Sequence, residues 1–319
     1  MEAFVAIPLL ELVTKPNTKN LSKAEEAIRK EDPVYDWQLY VMLPAQFILL
    51  LVFLQSMQEP GLLLFDKIGR ISSMGILCGV VGINVAHELG HRNTWYEQLM
   101  AKMLLLSSLY MHFFIEHNKG HHRNVSTKED PASARFGEVL YFFWIRSVFY
   151  SYLSAWKIEV DKLRKMNKPF VSFKNEMLIF QLVQTGLVVG IGLIFGWTVM
   201  VYFIIAAVIG FLLLETVNYI EHYGLERSKK GSAYERVMPH HSWNSDHIVG
   251  RVVLFELSRH SDHHYIASRK YQILRHIDES PQMPTGYPGM MLLATVPPLW
   301  FSIMNPRIRK IRKAQLSVA

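Results

Sequence analysis

The chain has 319 residues, half of them hydrophobic and only 19% charged, with a formal net charge of +7. A soluble domain carries about a quarter charged residues, so this balance points to a membrane protein. The positive charge suits lipid headgroups, an acidic partner or nucleic acid, but no repeated aromatic–basic interleaving supports the last.

At the N-terminus, Phe4–Leu10 form a short apolar patch before Glu11, without the basic leader and cleavage site of a signal peptide. Residues 37–58 carry no charge and are long enough for a span of roughly 20 residues. Residues 71–86 are also uncharged and run into His87, Glu88 and His91. They include Gly75 and Gly79, a small-xxx-small spacing that lets helices pack closely. The lone cysteine, Cys78, lies in this run and reads as a small core or lipid-facing residue. A single cysteine excludes an intrachain disulfide and a four-cysteine metal site.

The run 177–214 is uncharged for 38 residues, about 57 Å of helix, or twice a bilayer core. It divides at Gly196-Trp197 into two spans, with Trp197 as an interface anchor. The predicted spans are therefore about 37–58, 71–91, 177–195 and 198–218. The connector 59–70 holds only Lys67 and Arg70, whereas 92–174 holds thirteen Lys/Arg and 219–319 fourteen. The positive-inside rule then puts segments 92–176 and 219–319 on the cytoplasmic side. Two further apolar runs, 103–115 and 139–155, read as buried or interfacial helices. A crossing there would carry His117, His121 and His122 away from the other histidines. The run 290–304 contains Pro297-Pro298 and reads as interfacial. The expected class is all-α: a multi-pass helical membrane protein with a cytoplasmic-side helical domain.

Fourteen histidines are present, and most fall in clusters. His87 and His91 stand at i, i+4, as do His117 and His121, with His122 adjacent; His260, His263 and His264 read H-S-D-H-H. On a helix such spacings share a face, so each pair is expected to grip one ion. Adjacent histidines point about 100° apart, so the second of each doublet is expected to face a different ion. His222 lies just past the last span, on one face with Glu215 and Asn218; Glu215 reads as a supporting or helix-packing acid. His87-Glu88-Leu89-Gly90-His91 also fits the zinc-protease pattern H-E-x-x-H, which needs about three protein ligands. Nine imidazoles exceed what one ion binds and suit two, and imidazole suits iron. A di-iron centre therefore outranks the protease. A metal transporter would spread its ligands along mid-span helices.

The motifs H-E-L-G-H-R, E-H-N-K-G-H-H, N-Y-I-E-H-Y-G-L, H-S-W-N-S and R-H-S-D-H-H together resemble the integral-membrane alkane 1-monooxygenase family, within the histidine-rich membrane desaturases and hydroxylases. The resemblance covers essentially the whole chain, and implies one membrane-bound hydroxylase domain over 1–319. It implies two non-haem iron ions held by His87, His91, His117, His121, His122, His222, His260, His263 and His264, with helper carboxylates at Asp130 and Glu221. Glu88 and Asp262 are expected to accept imidazole N–H groups. The implied reaction is O2-dependent hydroxylation of the terminal methyl of medium-chain alkanes to primary alcohols, at the inner (cytoplasmic) membrane. Xylene-type aryl-methyl hydroxylases and lipid desaturases share such a site.

The implied electron donor is a separate rubredoxin, fed by rubredoxin reductase and NADH, because the chain lacks cysteines for a sulfur relay. Lys229, Lys230, Arg307 and Lys310 are candidates for its docking or for headgroup contact. A homo-oligomer is compatible with the resemblance. Family members have six spans and this chain reads as four, so an N-terminal hairpin is expected to be missing, leaving all nine ligands. His112, His240, His241, His247 and His276 are assigned to no metal, and His241-Ser242-Trp243-Asn244 is expected to support the site or the donor surface.

Overall fold

Among the described residues, four helices are long and apolar enough to cross a membrane: Pro33–Ser56, Leu64–Gly90, Glu176–Phe195 and Trp197–His222. Each overlaps one predicted span, the first beginning four residues earlier and the second seven. The computed structural model describes residues 2–231 and 233–316, and these are almost entirely helical apart from one hairpin pairing Lys229–Lys230 with Ala233–Tyr234.

The chain divides into two compact units. One comprises Glu31–Gly120 and Tyr150–Leu214. The other comprises the described parts of Met1–Lys30, His121–Phe149 and Glu215–Ala319.

The first unit holds the apolar helices. The first span starts where Asp32 accepts the Val34 N–H at 3.0 Å and Pro33 presets the first turn. Asn175 caps the third by accepting the Leu178 N–H at 3.2 Å. Their core packs Leu50, Phe53 and Leu54 against Met74, Cys78, Ile191, Phe203 and Ala206. The glycine spacing does what its pattern implies. A Cβ on Gly75 would sit 2.6 Å from Ile209 Cγ2, and one on Gly210 would sit 2.5 Å from Cys78 Cβ. Only glycine permits that approach. Gly196 turns the third span into the fourth at φ +93°, and the Trp197 ring fills the space beside Gly192. From Cys78 the second span loosens into a π-helical stretch, Cys78–Ile83, before tightening again at Asn84.

The run 103–115 is not one helix. Helix Trp95–Leu106 ends at a turn in which Leu109 takes φ +51°, and a short helix resumes at Phe113. In the second unit the run 290–304 is likewise split, into Tyr287–Ala294 and Pro297–Leu316. The run 139–155 lies within the 26-residue helix Leu140–Lys165. Its Arg146 is bound to Glu138 at 2.6 Å and to the carbonyls of Pro131 and Ser133, a satisfied charge rather than one facing lipid.

Candidate metal centre

The second span ends in H-E-L-G-H, and its last turn brings His87 and His91 together with ring centroids 5.0 Å apart. His117 joins them. Its ring lies 4.5 Å from that of His87, and its Nε2 is 3.2 Å from His91 Nε2. Phe113 stacks on His117 at 4.6 Å, giving this three-histidine set an aromatic wall.

The second unit holds a four-histidine set, His121, His222, His260 and His264, each offering a ring nitrogen within 4.8 Å of the others. His222 is the last residue of the fourth span, and His260 and His264 come from the short helix His260–Tyr265. All four are buried. Among the described residues, neither nitrogen of His264 has a hydrogen-bond partner. Burying such groups unpaired costs kilocalories, and a metal ion taking the lone pairs removes that cost. Burial first, and then the rings of His260, His122, His121 and His222, hold His264 well below the usual imidazole pKa. The ring is therefore neutral and able to donate. The residues fit a metal. His122 and His263 form a further pair, Nε2 to Nε2 at 3.1 Å.

Helical spacing succeeds for His87 with His91 and for His260 with His264. It fails for His117 and His121, which belong to different sets. From His117 to His121 the backbone is π-helical. That turn still leaves residues four apart near one face, so the split follows from the rings each one meets: His117 lies beside His87 and His91, and His121 beside His222 and His264. Both doublets diverge as their 100° offset requires: His121 and His264 enter the four-histidine set, while His122 and His263 pair with each other.

Two buried carboxylates back the four-histidine set. Asp130 faces His121 Nδ1 at 2.9 Å and also takes the Ser133 hydroxyl and the Ala132 N–H. Burial alone would raise this carboxyl, but His121 and Ser133 outweigh it and leave it below the usual range. An ionised Asp130 orients the ring and turns Nε2 toward the set. Glu221 lies 3.1 Å from His260 Nε2 through Oε2, and its Oε1 accepts the Tyr287 hydroxyl at 2.7 Å. Burial and the neighbouring Glu221 raise the Tyr287 phenol, which keeps it a donor.

Other expectations shift. Glu88 binds Arg92 at 2.7 Å through one carboxylate oxygen, and Arg92 also meets Asp36 at 3.2 Å, so an ion pair joins the role expected of Glu88. Asp262 takes the Arg275 N–H and Arg269 rather than an imidazole. Glu215 accepts from Ser147 and Asn218, a packing role. Segment 241–244 supports the site. The Trp243 N–H donates to the Glu221 carbonyl and its indole to that of Tyr223, while Asn244 accepts from Ser261, beside His260. His241, with Glu235 and His240, also lies within ligand reach. Its Nδ1, however, accepts the Met238 N–H, placing the ring proton on Nε2 toward Glu235, 3.2 Å away. That is an imidazole–carboxylate pair. The Lys230 side chain lies outside the described residues. Sequence reasoning missed Tyr287 and Ser133, for which no spacing or charge pattern is a signal.

Residues 70–294 match the family model described as fatty acid desaturase. An alkane 1-monooxygenase of Pseudomonas aeruginosa is 48% identical over 80% of this chain and 66% of its own length. The alkane 1-monooxygenase of Acinetobacter baylyi is 38% identical over 99% of this chain and 77% of its own. More distant is a xylene/toluene monooxygenase hydroxylase component of Pseudomonas putida, 29% identical over 88% of this chain and 76% of its own. The chain thus spans about two thirds to three quarters of the length of the relatives it matches. Taken with four apolar helices and two histidine sets, these likenesses make the chain a member of the fatty acid desaturase family and, within it, of the alkane 1-monooxygenases.

Proposed function

We propose that the protein is a membrane-bound monooxygenase that hydroxylates the terminal methyl of medium-chain alkanes to primary alcohols. The observation that carries this is the buried four-histidine set with unpartnered His264, in a chain whose relatives bear the name alkane 1-monooxygenase. The nine histidines together hold two non-haem iron ions, one of them in that set. Bound iron supplies the reduction of O2 and the removal of hydrogen from the methyl group.

The chain's own residues do the rest. Asp130 fixes the tautomer of His121. Tyr287 holds Glu221 by a proton on its own hydroxyl, leaving Glu221 Oε2 facing His260. The span helices give an alkane dissolved in the bilayer an apolar approach that excludes water. Two electrons are required per turnover, and rubredoxin, reduced in turn by its reductase and NADH, is the proposed donor. The lysine and arginine distribution favours the cytoplasmic face of the inner membrane for the centre, and a basic surface there suits an acidic donor, with binding that weakens in salt.

Iron stoichiometry followed by octane turnover with the complete electron-transfer chain tests the reading. About two irons per chain and 1-octanol are the expected results; one zinc and no iron would overturn it. The xylene-type relative favours one second reading, aryl-methyl hydroxylation, and xylene turnover exceeding that of octane would select it.

A further inference from the structure

The third span is anchored at its first residue. Glu176 takes Lys102 at 2.5 Å and Lys162 at 3.1 Å, and its own N–H donates to Glu159 at 2.8 Å. These bonds fix the C-terminal part of helix Leu140–Lys165 beside the first turn of a helix built to enter hydrocarbon. The loop between them reads M-N-K-P-F-V-S-F-K-N over 166–175 and turns apolar side chains outward: Val171 is 80% exposed and Phe173 98%. Exposed Lys165, Lys168 and Lys174 flank them.

Phe170 folds back and stacks on Trp156, with ring centroids 5.6 Å apart and planes 21° from parallel. Behind these rings is a groove of about 430 Å³, whose other walls are Lys157, Val160, Asp161 and Arg164. The rings and Val160 are apolar, and the two cations edge them. Asp161, the one acid lining the groove, sits 3.6 Å from Arg164, but both side chains are largely exposed and water screens the pair.

We propose that this groove and loop form a binding site for an anionic phospholipid. An acyl chain lies along Trp156, Val160 and Phe170. The phosphate meets Lys157 and Arg164, and Val171 and Phe173 enter the same leaflet. Long basic side chains reaching past apolar surface to headgroups, beside aromatic residues at a span's end, are what an interface selects. A bilayer is the occupant because the groove is fixed to the start of a span, where lipid is already the neighbour. The inference rests on that helix lying in a bilayer.

Bromine-labelled lipid quenches nearby tryptophan, and the full chain in lipid nanodiscs provides the test. The Trp156 contribution is the difference between the wild type and Trp156→Phe, since seven tryptophans are present. Brominated phosphatidylglycerol should quench Trp156 at lower mole fraction than brominated phosphatidylcholine. Lys157→Gln and Arg164→Gln should each reduce that preference about fivefold. A Phe173→Trp reporter should be quenched by both lipids and shielded from aqueous iodide. Equal quenching of Trp156 by the two lipids, displacement of the lipid by inorganic phosphate, or iodide quenching at position 173 would each overturn the proposal. A Leu182→Trp reporter, mid-span at a side chain 73% exposed, separates the failures. If it too escapes both lipids, the membrane reading falls; if it is quenched, only the lipid site does.

Discussion

The two histidine sets are built differently. The four-histidine set is dry and backed by acids, with Asp130 on His121 and Glu221 facing His260. In the three-histidine set Phe113 stacks on His117 and lies against His87, and His91 is only partly buried. An acid that accepts an imidazole N–H raises ligand basicity and fixes ring orientation, whereas an aromatic face shapes space and excludes water.

The comparison can be broken by substitution. The largest effect should come from His222→Ala, which removes a donor with no substitute nearby. Iron content should fall to half or less and turnover by more than about a hundredfold, measured by metal analysis and octane oxidation. Full iron with unchanged turnover would remove His222 from the ligands. Next is Asp130→Ala, expected to weaken metal affinity about ten- to a hundredfold while leaving the three-histidine set intact. Chelator competition reads this, and equal loss from both sets would erase the contrast.

Tyr287→Phe leaves Glu221 Oε1 without its donor. A loss of about 1–3 kcal/mol is expected in chemical denaturation, with metal content largely retained. In the apolar unit, Gly75→Ala forces a methyl against Ile209 and should cost about 1–3 kcal/mol, read from the thermal midpoint in detergent, without altering the metal sites.

The remaining effect is confined to acid pH. Burial pushes His112 down to about 3. The unfolded chain therefore takes up a proton below about pH 6.5 that the folded chain refuses. Stability from this group is full above that pH and declines as pH falls toward 3. In metal-free protein, His112→Gln should flatten that decline. An unchanged slope would show that other groups set it.

Much of this was legible in the sequence, for identifiable reasons. Charge-free runs of the right length have few alternatives, so four apolar helices could be located, although the charges at Asp66, Lys67 and Arg70 hid the first seven residues of the second. The glycines at 75 and 79 also declared their purpose. Histidine clusters announce metal by type and number. The partition of His117 from His121 was not legible, because it depends on which distant histidines the fold carries to each ring, and spacing does not encode that. Asp130 and Glu221 stood out only through resemblance, since an isolated acid far in sequence from its imidazole has no spacing to betray it. Tyr287 opens a short apolar helix and looks like any core aromatic until folding carries it 66 positions back to Glu221. Asp262 misled because adjacency in a motif is not contact: its place on the helix turns it to Arg269 and Arg275.

The turn at Gly196-Trp197 has a consequence for how the protein is made. A membrane-inserting ribosomal complex that receives residues 177–214 meets two apolar helices with no hydrated loop between them. Nothing charged has to be translocated, and the indole of Trp197 is already seated against Gly192 on the neighbouring helix. The pair can therefore partition sideways into lipid as one preassembled wedge, leaving the energetic difficulty of biogenesis to the charged, metal-collecting segments on either side.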